Sequence, residues 1–174
     1  GKTYISENIA IAYAVSNKKT LVIGADLRRP RLYKDFNKHS KFGISNYLEN
    51  PKIKIEDIIL KSDEKNLDLL YSGYKPERPA ELFASDRFIE LITKLKLLYD
   101  VIIIDTPPVG LVADALIISK SVDITLFVVR RRVSSKVSLN FINELDRNNK
   151  FKNINIVFND VTGSDENYYG YGYG

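Results

Sequence analysis

The sequence has 174 residues, 44% hydrophobic and 28% charged, which suits one soluble globular domain with a buried core. A net charge of +4 with both signs dispersed is too mild for a nucleic-acid binder and suits an anionic partner such as a nucleotide phosphate or a lipid surface. No cysteine means no disulfide or thiolate metal site, and the single histidine, His39, excludes a multi-histidine cage and disfavours a histidine-based triad.

The chain opens "GKTYISENIAIAYA". Gly1, Lys2 and Thr3 match the closing positions of G-x-x-x-x-G-K-[ST], whose backbone N–H groups wrap phosphates while the lysine reaches the terminal ones and the hydroxyl holds Mg²⁺. A helix should follow with Ile5, Ile9 and Ala12 on its apolar stripe, its N-terminus suited to an anion. Three residues alone are a weak match, and a surface lysine is the plain alternative.

Strand-like apolar runs come next: "TLVIGAD" at 20–26, "LDLLY" at 67–71, "YDVIIID" at 99–105, "ITLFVV" at 124–129 and "INIVF" at 154–158. They are largely unbroken Leu, Ile, Val and Phe, as expected of strands buried on both faces. Between them, Phe88, Leu91, Ile92, Leu95 and Leu98 form one helical stripe, and Val137, Phe141, Ile142 and Leu145 another. The stretch from about Pro30 to Lys65 is irregular, with "FGISNYLEN" and "IKIEDIILK" as short helix candidates. Alternating strands and helices imply an α/β fold of three layers, α/β/α, around a mostly parallel sheet. No apolar run is long enough to span a membrane, because "VIIIDTPPVGLVADALII" is broken by Asp105, Pro107 and Pro108.

Asp26 and Asp105 each close a buried strand, at the carboxyl rim where open α/β sheets bind ligands. A carboxylate there is costly unless it meets a polar site or a cation. Each alone could be a helix cap; together with Lys2 and Thr3 they converge on a Mg²⁺–nucleotide site.

The combination of "GKT", "LVIGADLRRP", "YDVIIIDTPPV", "RPAELF" and a terminal tyrosine cluster resembles the bacterial tyrosine kinases (BY-kinases) of capsular and exopolysaccharide biosynthesis, P-loop proteins akin to the MinD and ParA ATPases. The resemblance runs over nearly the whole chain. It implies a P-loop NTPase-like fold whose first strand and remaining phosphate loop lie upstream of Gly1. The chain is therefore expected to be an excerpt, as the absence of methionine also suggests. The domain is expected over 1–163, with a flexible Tyr/Gly-rich tail at 164–174.

By this resemblance Lys2 neutralises the β/γ-phosphates of ATP, and Thr3, Asp26 and Asp105 hold Mg²⁺, with Lys2, Asp26 and Asp105 forming the catalytic set. Gly1 completes the loop. Many members carry an additional acid two residues before Asp26, proposed as the general base; here that position is Gly24. Either Asp26 inherits the role or a dissociative transition state needs little base help. Asn159 fits the position that contacts the adenine edge, with an ordinary turn residue as the equal alternative. Arg28, Arg29 and Arg31 suit a phosphate or a neighbouring subunit, or are merely solvated; "RRR" at 130–132 is weaker still, and Asp114 reads as a helix or turn acid.

Tyr168, Tyr169, Tyr171 and Tyr173 are expected to be the enzyme's own phosphate acceptors, on glycine-spaced backbone free to enter a deep site. The implied function is autophosphorylation in trans within a ring-like homo-oligomer. The implied partners are a membrane-embedded chain-length-control region or adaptor and a cognate tyrosine phosphatase, at the cytoplasmic face of the bacterial inner membrane, with no nucleic acid. Two rivals remain: a MinD/ParA-like ATPase switch, and a non-catalytic regulatory module of a polysaccharide-export complex.

Overall fold

The computed structural model describes residues 1–29, 42–109, 113–131, 133, 134 and 136–161. Arg31, His39, Arg132 and the four tail tyrosines lie outside the described residues. The chain divides into two compact units, Lys2–Ser121 and Val122–Gly174 with Gly1. The described strands form a four-stranded sheet in the first unit and a two-stranded sheet in the second.

In the first unit, strands β1 (Thr20–Gly24), β2 (Ile59–Lys61), β3 (Leu67–Leu70) and β4 (Val101–Asp105) form a sheet in the order β2-β3-β1-β4. β1 lies at its centre and pairs in parallel with β3 and β4, whereas β2 is an antiparallel edge. β1 and β3 are buried throughout, which is why their sequences do not alternate.

Register decides which helix covers which face. Paired residues on neighbouring strands share a face, so Val22, Leu69 and Ile103 lie together, and Leu21, Asp68 and Ile102 lie on the other. Helix α1 (Lys2–Val15) covers the first face, where Ala10 and Ala14 pack with Val22, Leu67, Leu69 and Tyr71, and Ile103 adjoins them. Helix α4 (Asp86–Leu98) buries Phe88, Leu91, Ile92 and Leu95. It belongs to the second face: Tyr99, its C-cap, donates its hydroxyl to Asp68 at 2.6 Å. Helices on both faces give three layers. Ser85 starts α4 as N-cap, its hydroxyl accepting from the Phe88 N–H at 3.3 Å.

Several expectations need correction. The buried face of α1 is Glu7, Ala10 and Ala14, not Ile5, Ile9 and Ala12, because small alanines let the helix approach the sheet closely. Leu98 is exposed at the last position of α4. "IKIEDIILK" is not a helix but a 3₁₀ turn (Ile55–Asp57) followed by β2, whose Lys61 ammonium meets Asp68 at 2.6 Å.

"FGISNYLEN" does form a helix, α2 (Ile44–Glu49). Arg87 secures its far end, donating to the carbonyls of Tyr47, Asn50 and Ile53 while lying 4.2 Å over the Tyr47 ring. The loop after β3 turns at Gly73 with φ +80°, where the backbone crosses Gly43 too closely for a side chain on either residue. Helices α3 (Pro79–Phe83) and α5 (Asp114–Ile118) complete the unit, and Phe83 meets Phe88 edge-on at 5.2 Å.

In the second unit, β5 (Thr125–Arg130) and β6 (Ile154–Asn159) pair in parallel, with α6 (Lys136–Arg147) as the crossover parallel strands require. Phe127 and Phe151 pack edge-to-face at 5.4 Å. These strands are not buried on both faces as expected: Leu126, Ile156 and Phe158 are exposed. On α6, Ile142 is buried but Phe141 is exposed.

Candidate functional site

Thr3, Asp26 and Asp105 gather where β1 and β4 end. The two strands are in register to their last residues, with Gly24 opposite Asp105. Beyond that pair, the Ala25 N–H donates to the Asp105 carbonyl at 2.8 Å, so the chain carrying Asp26 leaves the sheet beside Asp105. Asp26 accepts the Arg29 N–H on Oδ1 at 3.0 Å, an Asx-type turn that fixes its carboxylate in the loop after β1.

Asp105 lies on the face that α1 covers, because Gly24 and Asp105 share that face with Val22 and Ile103. The first turn of α1 meets it there: the Thr3 hydroxyl donates to Asp105 Oδ2 at 2.7 Å, across 102 residues of sequence. Thr3, Glu7, Ala10 and Ala14 are one face of one helix by their four-three-four spacing, so the contact that buries α1 also aims Thr3 at the rim. Lys2 opens the same turn and is half-buried. The helix N-terminus, Thr3, Asp105 and Asp26 are therefore on one rim of the first unit.

Gly1 is exposed, with open space around it. Asn159 belongs to the second unit, at the end of β6. Its side-chain oxygen accepts the Asp160 N–H at 2.8 Å, and Asp160 at φ +65° pairs with Arg130 at 2.9 Å.

The donor set can be tested against Mg²⁺. Thr3, Asp105 and Asp26 offer hard oxygens, which suit Mg²⁺ or Ca²⁺ and not softer metals. Among the described residues no group of three or more His, Cys, Asp or Glu could hold a metal alone. That fits Mg²⁺, which takes one or two carboxylates and completes its shell with water and substrate phosphate.

Asp114 is the helix acid expected of it, but its partner Arg28 was not foreseen. Arg28 forms a bidentate pair with Asp114, Nε to Oδ2 at 2.8 Å and Nη2 to Oδ1 at 2.9 Å. Asp114 lies in the first turn of α5 with its side chain wholly buried. The hydrogen bond to Asp114, with smaller contributions from the charges of Asp114 and Asp26, raises the Arg28 pKa against the opposing pull of desolvation. No local pattern could have revealed a pairing across 86 residues.

Residues 1–156 match the family model of an AAA domain. The chain is 34% identical to the tyrosine-protein kinase YwqD of Bacillus subtilis over 98% of its own length and 72% of that protein. It is 33% identical to the tyrosine-protein kinase Wzc of Salmonella typhi over 99% of its length, yet spans only 25% of Wzc. The crystal structure of the chimerical protein CapA2B2 is similar at a TM-score of 0.83 and 34% identity, covering 90% of this chain and 69% of that one. The septum site-determining protein MinD of Pyrococcus horikoshii, complexed with Mg-ADP, shares the fold at a TM-score of 0.74 and 21% identity, over 91% of this chain and 64% of that one. The α/β, mostly parallel, P-loop NTPase-like architecture follows from these neighbours. Among the described residues no helix is long and apolar enough to cross a membrane.

Proposed function

The chain belongs to the bacterial tyrosine kinases, within a P-loop family of nucleotide-binding proteins, and we propose that it is the ATP- and Mg²⁺-dependent kinase domain that phosphorylates its own Tyr168, Tyr169, Tyr171 and Tyr173. One observation carries the reading: the 2.7 Å bond from the Thr3 hydroxyl to Asp105 at the carboxyl ends of β4 and β1. That contact joins the two oxygen donors a P-loop protein needs at its metal.

Mg²⁺, when bound, neutralises charge on the β- and γ-phosphates. Thr3, Asp26 and Asp105 would hold the metal, with Asp26 also the carboxylate assigned to the acceptor phenol. Lys2, at the first turn of α1, binds the terminal phosphates together with the helix N-terminus. The tyrosine oxygen attacks the γ-phosphorus, the bond to the bridging oxygen breaks, and ADP leaves. With Gly24 offering no carboxylate, the Asp26 carboxylate is the base of the β1 loop that takes the phenolic proton.

The setting is regulation of capsular or exopolysaccharide synthesis, in a ring-like homo-oligomer working with a membrane-embedded chain-length-control region or adaptor at the cytoplasmic face of the inner membrane. Each phosphotyrosine adds about −1.5 to −2 charge, enough for four to turn a +4 domain negative and drive docked subunits apart. A cognate phosphatase resets the tail.

Phosphosite mass spectrometry of the full-length protein after Mg–ATP treatment tests the reading. Phosphate on Tyr168–Tyr173, abolished in Lys2→Ala and Asp105→Asn, is expected. ATP hydrolysis with no phosphate on these tyrosines overturns it in favour of an ATPase switch.

A further inference from the structure

A wholly buried carboxylate is expensive unless paired, and Asp114 is paired with an arginine whose own side chain is 39% exposed. The location of the pair explains why the fold keeps it. Arg28 stands two residues after Asp26 on the loop that leaves β1. Asp114 opens α5, which follows the loop that leaves β4 after Asp105. The fork therefore ties the loop that carries Asp26 to the start of α5, the helix that follows the Asp105 strand. Two parallel bonds, 2.8 and 2.9 Å, fix orientation as well as distance, which a lysine could not do. The adjacent Arg29 N–H holds Asp26 Oδ1 in the same turn, so fixing Arg28 fixes Asp26.

We propose that Arg28 and Asp114 are a positioning pair that holds Asp26 in register with Asp105, so that both carboxylates act on one Mg²⁺. Neither residue touches reacting atoms. The charge of Asp26 also acts on the Arg28 guanidinium, after the stronger effect of Asp114. The proposal rests on the magnesium–nucleotide reading of the site, and its test separates the two.

The experiment is a Mg²⁺ titration of fluorescent ADP binding to the full-length protein, with thermal unfolding alongside. The variants are Arg28→Lys, the apolar double variant Arg28→Met with Asp114→Leu, and Thr3→Ala. The double variant removes both charges, so no unpaired carboxylate stays buried. The Mg²⁺ concentration for half-maximal binding should rise about tenfold in the double variant, as when an outer-shell partner of a metal ligand is lost. Metal-free ADP affinity should not change. Arg28→Lys, which keeps the charge but loses the fork, should move the midpoint in the same direction, and it decides the matter should the double variant fail to fold. Midpoints within about twofold of wild type, while Thr3→Ala shifts its own by about tenfold or more, overturn the positioning role and leave the site reading standing. Binding that ignores Mg²⁺ in wild type and Thr3→Ala alike overturns both.

Discussion

The two units are built from the same kind of strand and end up differently. β1 and β3 are buried on both faces beneath α1 and α4, while β5 and β6 leave Leu126, Ile156 and Phe158 exposed. Each unit also has an Arg–Asp pair near the ends of its strands. Arg28–Asp114 includes a wholly buried carboxylate, whereas Arg130 and Asp160 are both about half exposed. The difference teaches that an unbroken apolar run identifies a strand without telling how many faces are covered. It shows equally that two Arg–Asp pairs of similar length differ in burial, which changes what each is worth.

Core truncation should separate the units most. Leu91→Ala, at a fully buried position of α4, should cost about 3–5 kcal/mol in urea unfolding. Ile156→Ala, at a half-exposed position of β6, should cost under about 1 kcal/mol. Equal losses would erase the contrast. The ion pairs come next. Arg28→Ala should destabilise by about 2 kcal/mol, below the range for fully buried pairs because water partly screens the guanidinium. Arg130→Ala should fall within about 1 kcal/mol. The reverse order would show that the exposed pair is the stronger one.

The last contrast is a pH dependence in the first unit. Burial first, then the hydrogen bond and the charge of Asp68, push the Tyr99 phenol above its ordinary value. An acid whose folded pKa is raised binds its proton more tightly when folded. Its contribution is fully present below the unfolded value of about 10 and declines as pH rises beyond it. Urea unfolding from pH 8 to 11 should show stability falling above pH 10 by up to about 1.4 kcal/mol per unit in excess of Tyr99→Phe. Parallel curves for the two proteins would remove Tyr99 as the cause.

Much of this was legible because the informative residues sit at element ends. Thr3 at the start of a helix, and Asp26 and Asp105 at the ends of aliphatic runs, are readable as types in places, and the resemblance supplied their chemistry. Which residue meets which was not legible. The Ile stripe of α1 looks more apolar than its alanines, yet close approach to the sheet favours the small face, and Thr3 lies on it. β2 hid in a helical-looking period because a three-residue edge strand is defined by its partner Leu69 and by Lys61 reaching Asp68, not by its own pattern. The Arg28–Asp114 fork was invisible for the same reason, being a contact across 86 residues between the loop after β1 and the first turn of α5.

The central claim is that one rim of the first unit assembles a magnesium–nucleotide site around Thr3 and Asp105. Calorimetric titration of ADP into the full-length protein and its Asp105→Asn variant, each with Mg²⁺ and with chelator, tests it most directly. The account predicts affinity that Mg²⁺ strengthens in wild type, a loss of about tenfold or more in Asp105→Asn when Mg²⁺ is present, and equal affinities in chelator. Equal binding by both proteins in Mg²⁺ would contradict it.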